Sequence, residues 1–180
     1  EEEDTPVQGM LGVPFLLHAR AAVDFARDRL LLGVEDRDQP EKALLERGYR
    51  WVPITIGSRG RPTVEVRFPA IGRSLPITPS TVSAALTLHH PLFEGKVPMT
   101  RSPGGDRSPR GTTPDEFQTE RVTFEIAGVT MTSPASFEDL AEYGKVSEGD
   151  LQSFGMLGFD WMKEHQAVLD YANRRLYFKP

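Results

Sequence analysis

Apolar positions along this chain fall into two gapless copies of one pattern. Residues 9–32 read GMLGVPFLLHARAAVDFARDRLLL and residues 155–178 read GMLGFDWMKEHQAVLDYANRRLYF. At an offset of 146 residues, Gly9, Met10, Leu11, Gly12, Ala21, Asp24, Ala26, Arg29 and Leu30 recur as Gly155, Met156, Leu157, Gly158, Ala167, Asp170, Ala172, Arg175 and Leu176. Each copy predicts a short apolar strand between two glycines, then a short helix, then a β-hairpin. The glycines permit close backbone approach where the strand passes another segment. Phe159 with Met162, and Trp161 with His165, keep helical spacing for about two turns. Ala167 to Tyr171 and Leu176 to Phe178 read as paired strands, with Asn173 expected in the left-handed turn position. Pro14 is compatible with a first helical turn in the other copy.

Between the copies the pattern turns β. Trp51 to Ile56 and Thr63 to Phe68 alternate around Gly57-Ser58-Arg59-Gly60, a hairpin signature. Val122 to Ile126 and Val129 to Met131 form a second hairpin around Ala127-Gly128. Ser80 to Leu88 predicts a helix, with Thr78 as its N-cap and Pro79 at its first position. Glu41 to Glu46 predicts a helical stub, and Asp139 to Gln152 a polar connection. Residues 100–116 (TRSPGGDRSPRGTTPDE) are polar and rich in glycine and proline, which marks a mobile loop or hairpin tip. The expected organisation is residues 1–33 as the end of a truncated first repeat, 34–48 as linker and 49–180 as one complete domain. The chain thus carries two copies of a domain's end and room for one beginning.

Composition narrows the partners. A net charge of -5 argues against general nucleic-acid binding, and no apolar run reaches the roughly 20 residues of a membrane span. The chain has no cysteine, so disulfides and thiolate metal sites are excluded. No cofactor is expected. The acidic start EEED is not a signal peptide, and a signal removed from a longer precursor stays open. The compartment is undetermined.

The order of these elements resembles the retropepsin-like, or pepsin-type, aspartic peptidases. The phrase GMLGFDWMKEHQAVLDYANRRLYF is similar to the end of that family's domain, where an apolar pair precedes a glycine, a helix and a final hairpin. The resemblance implies an all-β, closed domain with short helices. It covers residues 49–180, and residues 9–33 as the tail of a preceding domain. In that family an Asp-Thr/Ser-Gly triplet from each of two paired domains supplies a carboxylate. Two close carboxylates share one proton, so that one activates water while the other acts as an acid.

Here no aspartate lies between Asp38 and Asp106. Taking residues 75–79 as the lead-in to the helix puts Pro69, Ala70 and Ile71 at the triplet, without a carboxylate. Catalytic residues are therefore none in this chain, which alone is expected to be inactive. Glu65 alternates within a strand, and Asp24 and Asp170 read as strand-end residues. His89 and His90 read as surface positions, His165 as packing or surface, and Trp51 and Trp161 as core. No metal site is expected. Gly104 and Gly105 are either the tip of a substrate-covering flap or part of a plain loop.

Two functions follow from the resemblance. One is the C-terminal part of a tandem peptidase, needing an N-terminal fragment (separated by cleavage before Glu1) or a second retropepsin-like domain to supply Asp-Thr-Gly. The other is a pseudoprotease that binds a peptide or protein.

Overall fold

The computed structural model describes residues 11–33, 39–58, 60–102 and 116–180. The two repeat copies fold alike. The first gives α1 (Val13–His18), β1 (Ala22–Asp24) and β2 (Arg29–Leu31). After α2 (Gln39–Glu46) come β3 (Arg50–Pro53), β4 (Thr55–Ile56) and β5 (Pro62–Phe68). A 3-10 turn at Pro69–Ile71 leads to β6 (Arg73–Pro79), then β7 (Leu86–His89), α3 (His90–Phe93) and β8 (Thr100–Arg101). The long hairpin β9 (Phe117–Ile126) and β10 (Val129–Glu138) precedes α4 (Leu140–Gly144) and a 3-10 turn at Glu148–Asp150. The second copy follows as β11 (Gly155–Leu157), α5 (Phe159–Glu164), β12 (Val168–Asp170) and β13 (Arg175–Phe178).

The expected all-β class is what the chain forms. One sheet runs β4-β5-β6-β11-β7-β10-β9-β8, and a further pairing of β5 with β9 at Arg67 and Glu125 closes six of its strands into a barrel. The Arg67 guanidinium and Glu125 carboxylate also pair at 3.5 Å across that seam. Inside, Phe68 meets Phe93 edge-on at 5.2 Å, and Phe93 meets Phe137 at 5.6 Å. Such aromatic packing, with Ile77, Leu88, Ile126 and Leu157 fully buried around it, supplies much of the apolar area that drives folding.

The second sheet joins the repeats in the order β2-β1-β12-β13-β3. At its centre β1 lies antiparallel to β12, with Ala22 opposite Asp170, Val23 opposite Leu169 and Asp24 opposite Val168. The offset of 146 makes Ala22 and Val168, Val23 and Leu169, and Asp24 and Asp170 equivalent positions. A pseudo-two-fold axis therefore passes between Val23 and Leu169. The flanking bonds obey it: Phe25 N–H donates to Ala167 O at 3.0 Å, and Tyr171 N–H to Ala21 O at 2.9 Å. So do the left-handed residues, Arg20 with Gln166 and Asp28 with Arg174.

Some local expectations fail. Arg174, not Asn173, takes the left-handed position. Asn173 instead donates its N–H and side-chain amide to the buried Asp170 carboxylate at 2.9 and 2.7 Å. Asp24 holds the equivalent turn through Arg27 at 2.9 Å. The polar connection at 139–152 contains α4, capped by Asp139, which accepts from Ala141 and Glu142 N–H. Ser80 to Leu88 is not a helix. The chain bends at 81–85 and then enters β7, a strand paired on both sides, to β10 and to β11. The Ser80 hydroxyl accepts from Val82 and Ser83 N–H at 3.3 and 3.1 Å, which imitates an N-cap without a helix behind it.

Candidate functional site

The glycine-bounded strand β11 is the hub of the site. It runs parallel to β6, with Met156 beside Thr78 and Leu157 beside Pro79, and antiparallel to β7 on its other edge. Ser80 N–H donates to Leu157 O at 2.9 Å, so the bend after β6 starts at this junction. On the far side Phe159 and Asp160 N–H donate to Ser83 and Ala84 O at 2.8 and 3.0 Å. A Cβ on Gly158 would lie 2.3 Å from the carbonyl oxygens of both Ala84 and Ala85. The crossing is thus open only to glycine.

Hydroxyls, not carboxylates, populate the crossing. Ser83 Oγ lies 3.3 Å from Thr87 Oγ1, which lies 3.1 Å from Ser136 Oγ. Ser153 Oγ donates to Gly155 O at 2.6 Å. Beside this network Thr78, Ser80, Leu140, Val146, Leu151, Gln152, Ser153 and Met156 line a cavity of about 520 Å3. Two buried polar atoms on its wall, Thr78 Oγ1 and Gln152 Oε1, have no hydrogen-bond partner among the described residues. A buried polar group without a partner costs on the order of 1–3 kcal/mol, so these two atoms are a local cost to the packing of the cavity's lining residues. Gln152 is oriented by its own amide, which donates to Ser58 Oγ at 2.8 Å.

His89 lies beneath this wall. It is buried in β7, contrary to its reading as a surface residue, because β7 is covered on both faces. Its Nδ1 accepts from Leu140 N–H at 3.2 Å, with Asp139 at 3.8 Å, while Nε2 lies 3.9 Å from Glu148. Burial pushes the imidazole pKa down, and the two carboxylates oppose that shift without cancelling it. His90 is half-buried and stacks on Phe117, with ring centroids 4.4 Å apart. His165 packs on the buried Trp161 at 4.6 Å. Trp51 is half-buried under the Arg175 guanidinium, 4.2 Å from its ring centroid.

Pro69, Ala70 and Ile71 are not near this crossing in the strand order. They form the turn joining β5 to β6, at the opposite end of β6 from Thr78, with none of the three buried. Their assignment to the triplet rested on the helix at 80–88, and it loses its basis with that helix. Glu65 is exposed on β5. Gly104 and Gly105 lie outside the described residues. The ends of their segment are near each other, since Ser102 N–H donates to Glu116 O at 2.9 Å. The sequence reading passed over Thr78, Ser80 and Gln152. The available signal was the glycine pair 155 and 158, which marks β11 as a strand that other backbone crosses closely.

Among the described residues, no group of three or more histidine and acidic side chains is arranged to hold a metal ion. Among them also, no helix is long and apolar enough to cross a membrane.

No protein-family model and no curated protein matches the chain by sequence. Solved structures of similar fold include a retropepsin-like aspartic protease from Rickettsia conorii, at 10% identity over 72% of this chain and 90% of that one, with a TM-score of 0.47. The retroviral protease-like domain of Ddi1 from Leishmania major is 11% identical over 61% of this chain and 81% of its own, with a TM-score of 0.40. Basic 7S globulin from soybean is 14% identical over 88% of this chain, which spans 50% of that protein, with a TM-score of 0.45.

Proposed function

We propose that this chain is the peptide-binding half of a two-domain protein of retropepsin-like fold, and that it does not hydrolyse what it binds. In this reading Ser80, Thr81 and Val82 stand where the family has Asp-Thr-Gly. Ser80 directly follows the strand beside the apolar pair Met156-Leu157, and Thr81 keeps the middle residue of the triplet. A serine hydroxyl does not ionise near neutral pH and so cannot replace a carboxylate, and shared-proton activation of water takes two carboxylates. Residues 11–33 are the closing unit of the other half, and the segment carrying Gly104 and Gly105 is the flap of this one.

The observation that carries the binding role is the cavity beside Ser80, whose lining joins the polar side chains of Thr78, Ser80, Gln152 and Ser153 to the apolar ones of Leu140, Val146 and Met156. An extended peptide offers alternating N–H and C=O groups to the polar residues, and the apolar ones suit its side chains. The test is fluorescence anisotropy with a library of extended peptides. Val146→Asp, which puts a charge into the apolar part of the lining, should weaken saturable binding by about tenfold and leave the melting temperature unchanged, because Val146 is only half-buried. Recovered peptides should be intact. Absence of saturable binding across the library removes the reading.

The second reading is a peptidase completed by an N-terminal fragment or second domain bearing Asp-Thr-Gly. The pseudo-two-fold axis favours such a partner. That partner brings one carboxylate, and the chemistry takes two, so the inert half is preferred.

A further inference from the structure

A second depression lies where the first repeat meets the second. Phe25, Ala26, Arg27, Arg47, Lys163 and Gln166 line a volume of about 350 Å3, near the lower end of the roughly 300–1,000 Å3 of small-molecule sites. Its three cations come from three parts of the chain. Arg27 stands in the turn between β1 and β2, Arg47 in the joint between α2 and β3, and Lys163 in α5. No carboxylate lines the depression, although the chain carries a net charge of -5.

The fold does not require these charges. At the offset of 146 residues, Asn173 stands where Arg27 does, and Leu17 where Lys163 does. The neutral Asn173 holds its turn on Asp170 with two donated hydrogen bonds. Nor do the helix ends require them as caps. At the end of α2, the Leu44 carbonyl accepts from Arg47 and Tyr49 N–H, and the Leu45 carbonyl from Gly48 N–H. At the end of α5, the carbonyls of Trp161, Met162 and Lys163 accept from His165, Ala167 and Gln166 N–H. Backbone donors thus satisfy the carbonyls that a basic side chain would otherwise serve.

The charges also keep most of their donors. Arg27 gives one of its five N–H groups to Asp24 at 2.9 Å, and Lys163 gives one of three to Asp28. Arg47 rests against the buried Tyr49 ring, 5.7 Å from its centroid, and no carboxylate pairs with it among the described residues.

We propose that this depression binds a phosphoryl group, carried by free phosphate or by a small phosphate monoester. Such a group approaches a dianion above about pH 6 and presents three acceptor oxygens, one for each cation. The guanidinium forks of Arg27 and Arg47 match that geometry, and Gln166 adds a neutral amide donor. A carboxylate, with one charge and two oxygens, would leave a cation unmatched. Once bound, the phosphoryl group ties the first repeat to the second and to the segment that enters β3. The depression shares no residue with the cavity beside Ser80 and does not depend on what that cavity binds.

The test is calorimetric titration of the full chain with inorganic phosphate and with glycerol 3-phosphate, against sodium chloride at matched ionic strength. One saturable site is expected. Binding of both probes identifies a monoester site, and binding of inorganic phosphate alone a free-phosphate site. Arg47→Gln and Lys163→Gln should each weaken binding about tenfold or more, the worth of a charged hydrogen bond. Arg73→Gln, an equal loss of charge on β6 outside the lining, should leave the affinity unchanged. All three variants should keep the urea midpoint in chloride, because none of these side chains is buried. In amide NMR spectra, inorganic phosphate should shift residues 25–27 and 163–166 together. Absence of saturable binding to either probe, equal weakening by all three variants, or shifts that spare either segment overturns the proposal.

Discussion

Val23 and Leu169 face each other at the centre of the sheet that joins the two repeats, and they are the same position of those repeats. A residue paired with its own counterpart marks a two-fold axis, the geometry of an isologous interface built within one chain. The environments of equivalent positions nonetheless differ: Leu30, Leu31 and Leu32 of the first copy are exposed where Leu176, Tyr177 and Phe178 of the second are buried.

The two glycines at the crossing positions give a direct contrast. Gly158→Ala drives a Cβ into the Ala84 and Ala85 carbonyls and should cost about 4 kcal/mol or more, the range of severe core overpacking. Gly12→Ala has open space and ordinary extended dihedrals, so in the isolated chain it should change stability by about 0.5 kcal/mol or less. Urea unfolding of the two variants measures the difference.

Phe25 ties the first repeat to the second. It is buried and meets Phe159 edge-on at 5.9 Å. Phe25→Ala should cost about 3 kcal/mol. Deletion of residues 1–33 removes Leu16, Ala21 and Ala22 as well and bares the edge of β12, so aggregation is expected. Light scattering on heating reads both effects, and an unchanged, monodisperse product would contradict the packing described.

His89 makes stability depend on pH. Burial lowers its folded-state pKa, so the unfolded chain takes up the proton first. This contribution is fully present above the unfolded value of about 6.5 and is lost as pH falls below it. Protonation of Nδ1 would also break the bond from Leu140 N–H, at the wall of the cavity. The urea midpoint should therefore fall between pH 7 and 5, and His89→Gln should flatten that slope. An unchanged slope in the variant would remove the role.

What the sequence made legible was whatever is local or repeated. The paired phrases revealed β11, α5 and the terminal hairpin because each copy checked the other, and Ala127-Gly128 declared its hairpin through turn chemistry. The candidate site was largely illegible. Leu86 to His89 is buried on both faces, so no alternation distinguishes it from a helix, and the Ser80 hydroxyl bonds resemble a cap. The expected triplet at Pro69-Ala70-Ile71 is counted back from that helix, and His89 reads as surface because adjacent histidines on a strand point apart, whereas β7 is covered on both faces. The cavity could not be foreseen, because its lining joins residues 78 and 80 to residues 140–156, which are distant in sequence.

The central claim is that this half of a retropepsin-like assembly binds peptide and cannot cut it. The most direct measurement is incubation of the pure 180-residue chain with unfolded protein between about pH 3 and 6, the range in which paired carboxylates work, followed by mass analysis of the products. The account predicts intact substrate at every pH, with or without pepstatin. Cleavage that pepstatin abolishes would contradict it.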